Sequence, residues 1–339
     1  PRVEQVAVRE GAVRVSRGER LVGDCRFDLS LAAAPHERYA WTASAHATTT
    51  ETPWHARGPV ALTLTGDGAL APRTRALDVA HVEVRSGALA VRGEAQVRAG
   101  ETPSGHVALH TAGAHIESIF PWLPAGLLEE RGVQASGAFD LGVRLQTRAQ
   151  GVAVDTSLTL DDADIRTRDL VKPRGTPLRA ELHGLALLGG ALDVERASAR
   201  FADVSAEMQP SHFERGALAT RVTVRVPELS QISAWAPASR DALRGVRGAL
   251  ALRVHASRTR DVTDAEAAID APALSVRREG VTLDGAVTAR VRLGDHGSSR
   301  AVDVSLDATR AEVRVRDIVQ KSRGVALVAR ARVIPGAPL

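Results

Sequence analysis

In FDLGVRL, Phe139, Leu141, Val143 and Leu145 fall on one side of an extended chain, with Asp140 and Arg144 on the other. In LATRVTVRV, Leu218, Val222, Val224 and Val226 oppose Arg221, Thr223 and Arg225. The same period of two returns at 152–160, 250–254, 287–293, 302–306 and 313–315. A helix cannot gather such a pattern on one face. A strand with one apolar and one wet face can, and that is the habit of antiparallel sheet. Turn signals fall between the alternating runs at TGDG (65–68), RSG (85–87), LGG (188–190), REG (278–280) and LGDHGSS (293–299). Glycine supplies positive φ there, and Asp or Ser supplies local hydrogen bonds. The reading is all-β, an antiparallel meander of about twenty strands of roughly 6–10 residues each.

Two segments break the alternation. Residues 113–132 carry Ile116, Ile119, Phe120, Leu123, Leu127 and Leu128 at helix-like spacing before a Gly stop. Pro121 and Pro124 limit this to short, kinked pieces. Residues 229–245 repeat the design with Leu229, Ile232, Trp235, Ala238 and Leu243, ending at Gly245. Ile119, Trp122, Pro124, Arg131, Gly132 and Val133 align without a gap on Ile232, Trp235, Pro237, Arg244, Gly245 and Val246. After a two-residue deletion, GAFDLGVRL at 137–145 lies over GALALRVHA at 248–256. The spacing defines a repeat of sheet segment plus helical insert. It divides the chain into a sheet segment at 1–114, an insert with sheet at 115–228 and a second insert with sheet at 229–339. Each Trp is expected to seat its insert on its own sheet segment, with Ile119, Trp122, Leu123, Ile232 and Trp235 as the anchors.

Chemistry is sparse. Two lysines, Lys172 and Lys321, stand against 42 arginines, and asparagine is absent. The arginines are scattered one or two at a time and the formal charge is only +4. A nucleic-acid surface needs clustered cations, and for single strands aromatic platforms as well. Aromatics are 3% of the chain, so nucleic acid is excluded as a partner. There is no HExxH, GxSxG or GK[ST] motif. His106 and His110 share a strand face, but about 13 Å of strand separates them at ~3.3 Å per residue, too far for one metal. GDGALA at 66–71 reads as a hairpin turn, DDAD at 161–164 as an acidic turn, and the threonines at 48–50 as a polar edge strand or loop. Cys25, in phase with Phe27, Leu29 and Leu31, reads as a buried structural thiol. No catalytic residue, metal or cofactor is expected. The longest uncharged runs fall short of the roughly 20 residues of a spanning helix. Any membrane anchor is expected outside this sequence, which reads as a processed chain or a fragment.

The many short alternating strands, the wealth of small aliphatics and glycine, and the passages LPAGLLEERGVQASGAFDL and ALRGVRGALAL resemble the AsmA-like family, including its TamB-type members. That family groups with the bridge-like lipid-transfer proteins. The resemblance is one of pattern and is clearest over 115–330. It implies an elongated antiparallel sheet curled lengthwise into a taco-like groove with an apolar lining. It also implies a periplasmic location between two membranes, with inner- or outer-membrane partners, and phospholipid transport or envelope biogenesis. The candidate lining is Phe139, Leu141, Val143, Leu145, Leu250, Leu252 and Val254, touching phospholipid acyl chains. Head groups would ride at the rim near arginines. Alternation serves a closed, dry core equally well. The competing reading is a non-enzymatic β-sandwich or β-solenoid, a scaffold or adhesin of the envelope. A glycan-cleaving solenoid would need convergent carboxylates, and none is identifiable.

Overall fold

A computed structural model describes residues 4–17, 20–49, 60–101, 103–111, 113–122, 132–215, 217–259, 262–296, 300–315, 319–321 and 325–333. The chain is all-β and antiparallel, with 24 strands among the described residues. It divides into two compact units: Pro1–Arg168 with Pro173–Thr176, and Asp169–Lys172 with Pro177–Leu339. No helix among the described residues is long and apolar enough to cross a membrane.

The first unit is a meander of β1 (Gln5–Arg17), β2 (Arg20–Ala34), β3 (Arg38–Thr49), β4 (Val60–Ala71), β5 (Ala76–Ser86), β6 (Leu89–Arg98) and β7 (Ser104–His110). Each pairs with the next. Then come β8 (Ala114–His115), a 3-10 helix at Ile116–Trp122, β9 (Gln134–Arg148), β10 (Gly151–Thr159) and β11 (Ala163–Arg166). β9 lies beside β7 and is flanked on its other side by β10 and β11. A connected hydrophobic core sits here: Ala114, Ile116, Phe139 and Ala163 are buried, and Ile119, Phe120, Leu141 and Leu158 pack around them. The insert is tied down by polar contacts. Thr111 donates its N–H to the Leu141 carbonyl and accepts the Leu141 N–H at its hydroxyl, both at 2.8 Å. Asp140 accepts the Gly113 N–H at 2.7 Å.

The second unit holds β12 (Val171–Lys172), β13 (Leu178–Leu187), β14 (Leu192–Phe201), β15 (Val204–Met208), β16 (Ser211–Glu214) and β17 (Ala217–Val226). Helix α1 (Leu229–Trp235) follows, then a 3-10 turn at Pro237–Ser239 and β18 (Val246–Arg247). The unit closes with β19 (Leu250–Thr259), β20 (Val262–Arg278), β21 (Val281–His296), β22 (Arg300–Val315), β23 (Val319–Lys321) and β24 (Val325–Val333). Several strands exceed the expected 6–10 residues, because bulges let one strand do the work of two. β20, for example, runs 17 residues through Ala271–Leu274, where Pro272 sits at the irregularity. Proline has no N–H for the ladder and is tolerated at such a place.

The second insert is capped by Glu228. Its carboxylate accepts from the Ser230 N–H at 3.1 Å, the Ser230 hydroxyl at 2.9 Å and the Gly248 N–H at 3.0 Å. These bonds hold the Glu228 carboxyl below its ordinary range, the Ser230 backbone bond being the largest cause. A depressed folded pKa means the contribution is present above the unfolded carboxyl's pKa and is lost as pH falls through the folded one. Glu228→Ala is expected to cost about 1 kcal/mol, the usual worth of a cap. The check is acrylamide quenching of Trp235 in a variant without the other three tryptophans. Unchanged protection of Trp235 would remove the claim that this cap seats the helix.

Three expectations need correction. Thr48 and Thr49, expected on a polar edge strand or loop, lie in β3 paired on both sides, with β2 and β4. TGDG at 65–68 is no turn, nor is GDGALA at 66–71: both lie within β4, with Gly66 and Gly68 mid-strand. The reason is space. A Cβ on Gly66 would stand 3.2 Å from the Trp41 ring, and one on Gly68 would stand 2.0 Å from the Asp78 carbonyl oxygen and 2.8 Å from Trp41 Nε1. The glycines admit an indole, not a reversal. Cys25 is only half-buried, and its cross-strand neighbour Val13 is itself 50% exposed. In the first insert, the stretch from Leu123 through Arg131 lies outside the described residues. The turns expected at 85–87, 188–190 and 278–280, and the acidic turn at 161–164, are present.

Candidate functional site

Register determines which side chains share a face, since paired residues in an antiparallel ladder point the same way. One row of the first unit runs Val6, Leu31, Trp41, Gly68, Val79, Ala95, Val107, Leu145 and Val154, from β1 to β10. The next runs Val8, Leu29, Ala43, Gly66, Val82, Gly93, Leu109 and Val143. The apolar face is therefore continuous across nine strands. Bulges preserve it. Between Val8 and Gly11, and between Val79 and Val82, one strand carries an extra residue. That residue returns Val13 and Val84 to the face that an unbroken period of two would have turned away. At the first bulge Glu10 takes φ 54 and donates its N–H to Asp28 at 2.8 Å.

Among the described residues much of this face, away from the first insert, is open. Val6 is 45% exposed, Val15 54% and Val97 43%. Among the described residues only twelve hydrophobic residues are buried, and six of those are alanines. A sandwich interior would bury the aliphatics of facing sheets against each other. The bulky side chains on the face lie down over glycines. Phe27 covers Gly11, where a Cβ would come 2.6 Å from the ring, and Leu109 covers Gly93 in the same way. Trp41 lies across Gly66 and Gly68 and donates Nε1–H to the Asp78 carbonyl at 3.2 Å. The result is a low apolar surface, with few side chains standing upright on it.

The second unit has its own apolar face. Rows such as Val224, Leu252, Ile269 and Ala289 cross β17, β19, β20 and β21, and Val291 and Val304 continue the pattern onto β22. Leu293, on the same face of β21, is 50% exposed.

The candidate lining residues divide. Val143 and Leu145 lie on the first unit's open face, and Leu250, Leu252 and Val254 share one face of β19, all partly exposed. Phe139 does not line a surface. It is 4% exposed, sealed under the first insert with Ile116 and Ala163, and Leu141 packs against that seal. The anchors divide too. Ile119 packs on the same core. Trp122 closes the 3-10 helix, and Leu123 lies outside the described residues. Ile232 is half-buried in α1, and Trp235 meets Phe201 edge-on, with centroids 4.9 Å apart and planes at 79°. Register places Phe201 in the second unit's apolar row with Leu178 and Val204. Val6, Val8, Val13 and Val15 of β1 are exposed on this face as well, and the sequence reading did not single them out. QVAVREGAVRV carries them in plain alternation, with a phase slip at Arg9–Gly11.

The opposite faces are polar. Glu83 holds Arg85 at 2.7 Å and Arg92 at 3.3 Å, and Arg225 reaches Glu207 at 3.0 Å. Exposed pairs of this kind contribute little stability. His212 sits between Asp193, 2.5 Å from Nδ1, and Glu214, 3.6 Å from Nε2. The Asp193 hydrogen bond is the main cause that raises the imidazole's pKa above its ordinary value. A raised folded pKa means the contribution is full below the unfolded value, about 6.5, and is lost as pH rises through the folded one. NMR titration should give His212 a midpoint above the ordinary imidazole value, and Asp193→Asn should bring it down. An ordinary midpoint for His212 in the unaltered protein would contradict the geometry. Among the described residues no three His, Cys, Asp or Glu side chains are grouped as metal ligands would be. Compared with protein families, curated proteins and solved structures, the chain matches none.

Proposed function

We propose that this protein binds and conducts phospholipid acyl chains along its apolar sheet faces, as part of lipid transport in a two-membrane cell envelope. The observation that carries this reading is the apolar face of the first unit, continuous from β1 to β10 and largely exposed among the described residues. Contiguous apolar surface of this extent is rare on a monomer unless something binds there. The chemistry suits an acyl chain. Val, Leu and Ala offer no polar anchor, so a hydrocarbon gains nearly equally at every position. Removing methylenes from water yields about 0.8 kcal/mol each, so half-covering a chain of ~16 methylenes yields ~6 kcal/mol. A uniform lining keeps barriers between neighbouring positions small, so the chain slides. The mechanism is passive and uses no nucleophile, metal or cofactor. The resemblance to the AsmA-like family agrees with it and suggests the periplasmic setting.

The test uses Trp41, which lies on this face. In a variant retaining Trp41 alone, phospholipids brominated along the acyl chain should quench its fluorescence, and lipids brominated at the head group should not. No quenching by the acyl-brominated lipid would count against the reading and favour an envelope scaffold.

A further inference from the structure

We propose that the polar face of the first unit holds a binding site for a phosphate ester, in the bay between Arg38 and Arg98. This inference does not rest on the acyl-chain reading, since the bay lies on the opposite face of the sheet. Ala71 pairs with Ala76, and Ala76 with Arg98. Arg38 stands beside Ala71, one step beyond the Tyr39–Leu70 pair. The row is thus Arg38, Ala71, Ala76, Arg98: two long cations with two methyl side chains between them. Three strand spacings put the arginine backbones about 14 Å apart, so both guanidinium groups can reach a ligand seated over the alanines. Small floor residues between long walls leave a cavity of about 480 Å³, of which Thr74 forms one side. That volume is in the range of small-molecule sites.

The electrostatics choose the ligand class. Elsewhere on this face arginines are satisfied by carboxylates, as Arg85 and Arg92 are by Glu83. Among the described residues neither Arg38 nor Arg98 makes an ion pair. Planar guanidinium groups suit phosphate oxygens, which they engage with two parallel hydrogen bonds. The adjoining row, Asp78, Gln96, His106 and Gln146, crosses the bay beside them. Asp78 offers an acceptor to a donor on the same ligand. The bay therefore fits a phosphate ester that also carries an ammonium or hydroxyl group, whether a free metabolite or the head group of a lipid.

Calorimetric titration of the whole chain with O-phosphoethanolamine tests this. Binding is expected, weakened at least about tenfold by Arg38→Gln and by Arg98→Gln, the scale of losing a charge-assisted pair. Ala71→Leu, which fills the floor, should weaken it similarly. Arg144→Gln, on the polar face of β9, should bind as the unaltered protein does. Vesicles of phosphatidylethanolamine and inorganic phosphate are titrated in parallel. Arginine-dependent binding of the soluble ester or phosphate assigns the site to a free ligand, and arginine-dependent binding of vesicles alone assigns it to a head group. Absence of binding by all three probes, or unchanged affinity in both arginine variants, overturns the proposal. Neither result bears on the apolar face, which the brominated acyl chains probe separately.

Discussion

Gly248→Ala is expected to destabilise the second unit by about 3 kcal/mol. Gly248 has φ 117, where an L side chain is strained, and a Cβ there would stand 2.1 Å from the Ala273 carbonyl oxygen. The obstacle is backbone of the neighbouring strand, so it yields only by displacing the sheet. Strained φ costs ~1–2 kcal/mol and forced displacement of packed structure ~1–3. Gly137 should respond alike: φ is 103 and a Cβ would meet the Asp162 carbonyl oxygen at 2.4 Å. The two glycines occupy equivalent places in the repeat, just after an insert, where the strand leaves one partner segment for the next. The preceding pair, Gly132 and Gly245, also share positive φ, at 59 and 76. Gly189, which has nothing within 4 Å of its would-be Cβ, is the control, and its alanine variant should stay within about 0.5 kcal/mol. Urea denaturation of the three variants is the measurement. Losses below 1 kcal/mol at both Gly137 and Gly248 would mean that the repeat is a likeness of letters and not of backbone.

Period two was enough to place most strands, because a half-covered sheet writes its burial directly into alternate residues. FDLGVRL and LATRVTVRV are strands, with the expected faces. Bulges were harder. In LDVAHVEV the apolar positions shift phase between Val79 and Val82, and in IDAPALSV between Ala271 and Leu274. Alternation read strictly takes each slip as a strand end, whereas the backbone absorbs it with one extra residue. Glycine misled for a related reason. TGDG has the composition of a turn, and no local signal reveals that an indole from β3 occupies the space above it. Only pairing across strands shows that. The candidate lining erred at Phe139 because a residue beneath an insert and a residue on an open face have identical neighbours in sequence. The bay between Arg38 and Arg98 was invisible, since its four residues come from four strands and meet only through register.

The largest functional effect is expected from charges placed on the open face. Leu64 is 37% exposed, and Val97, on the same face, is similarly open. An Asp at either position stays partly hydrated and should cost the fold little. For an acyl chain crossing the face the same carboxylate must be stripped of water, at several kcal/mol, and the path is interrupted. Leu252→Asp does the same in the second unit. Leu141→Asp is a poorer probe, because Leu141 packs against the first insert's core and its loss would confuse path with stability. The decisive measurement is mass spectrometry of lipid that accompanies the protein when it is extracted in mild detergent from the cells that make it. The account predicts phospholipid with the unaltered chain above the level of a β-sandwich control, and its loss from Leu64→Asp, Val97→Asp and Leu252→Asp proteins that remain folded. Phospholipid at the control level in the unaltered protein, or undiminished in all three variants, would contradict it.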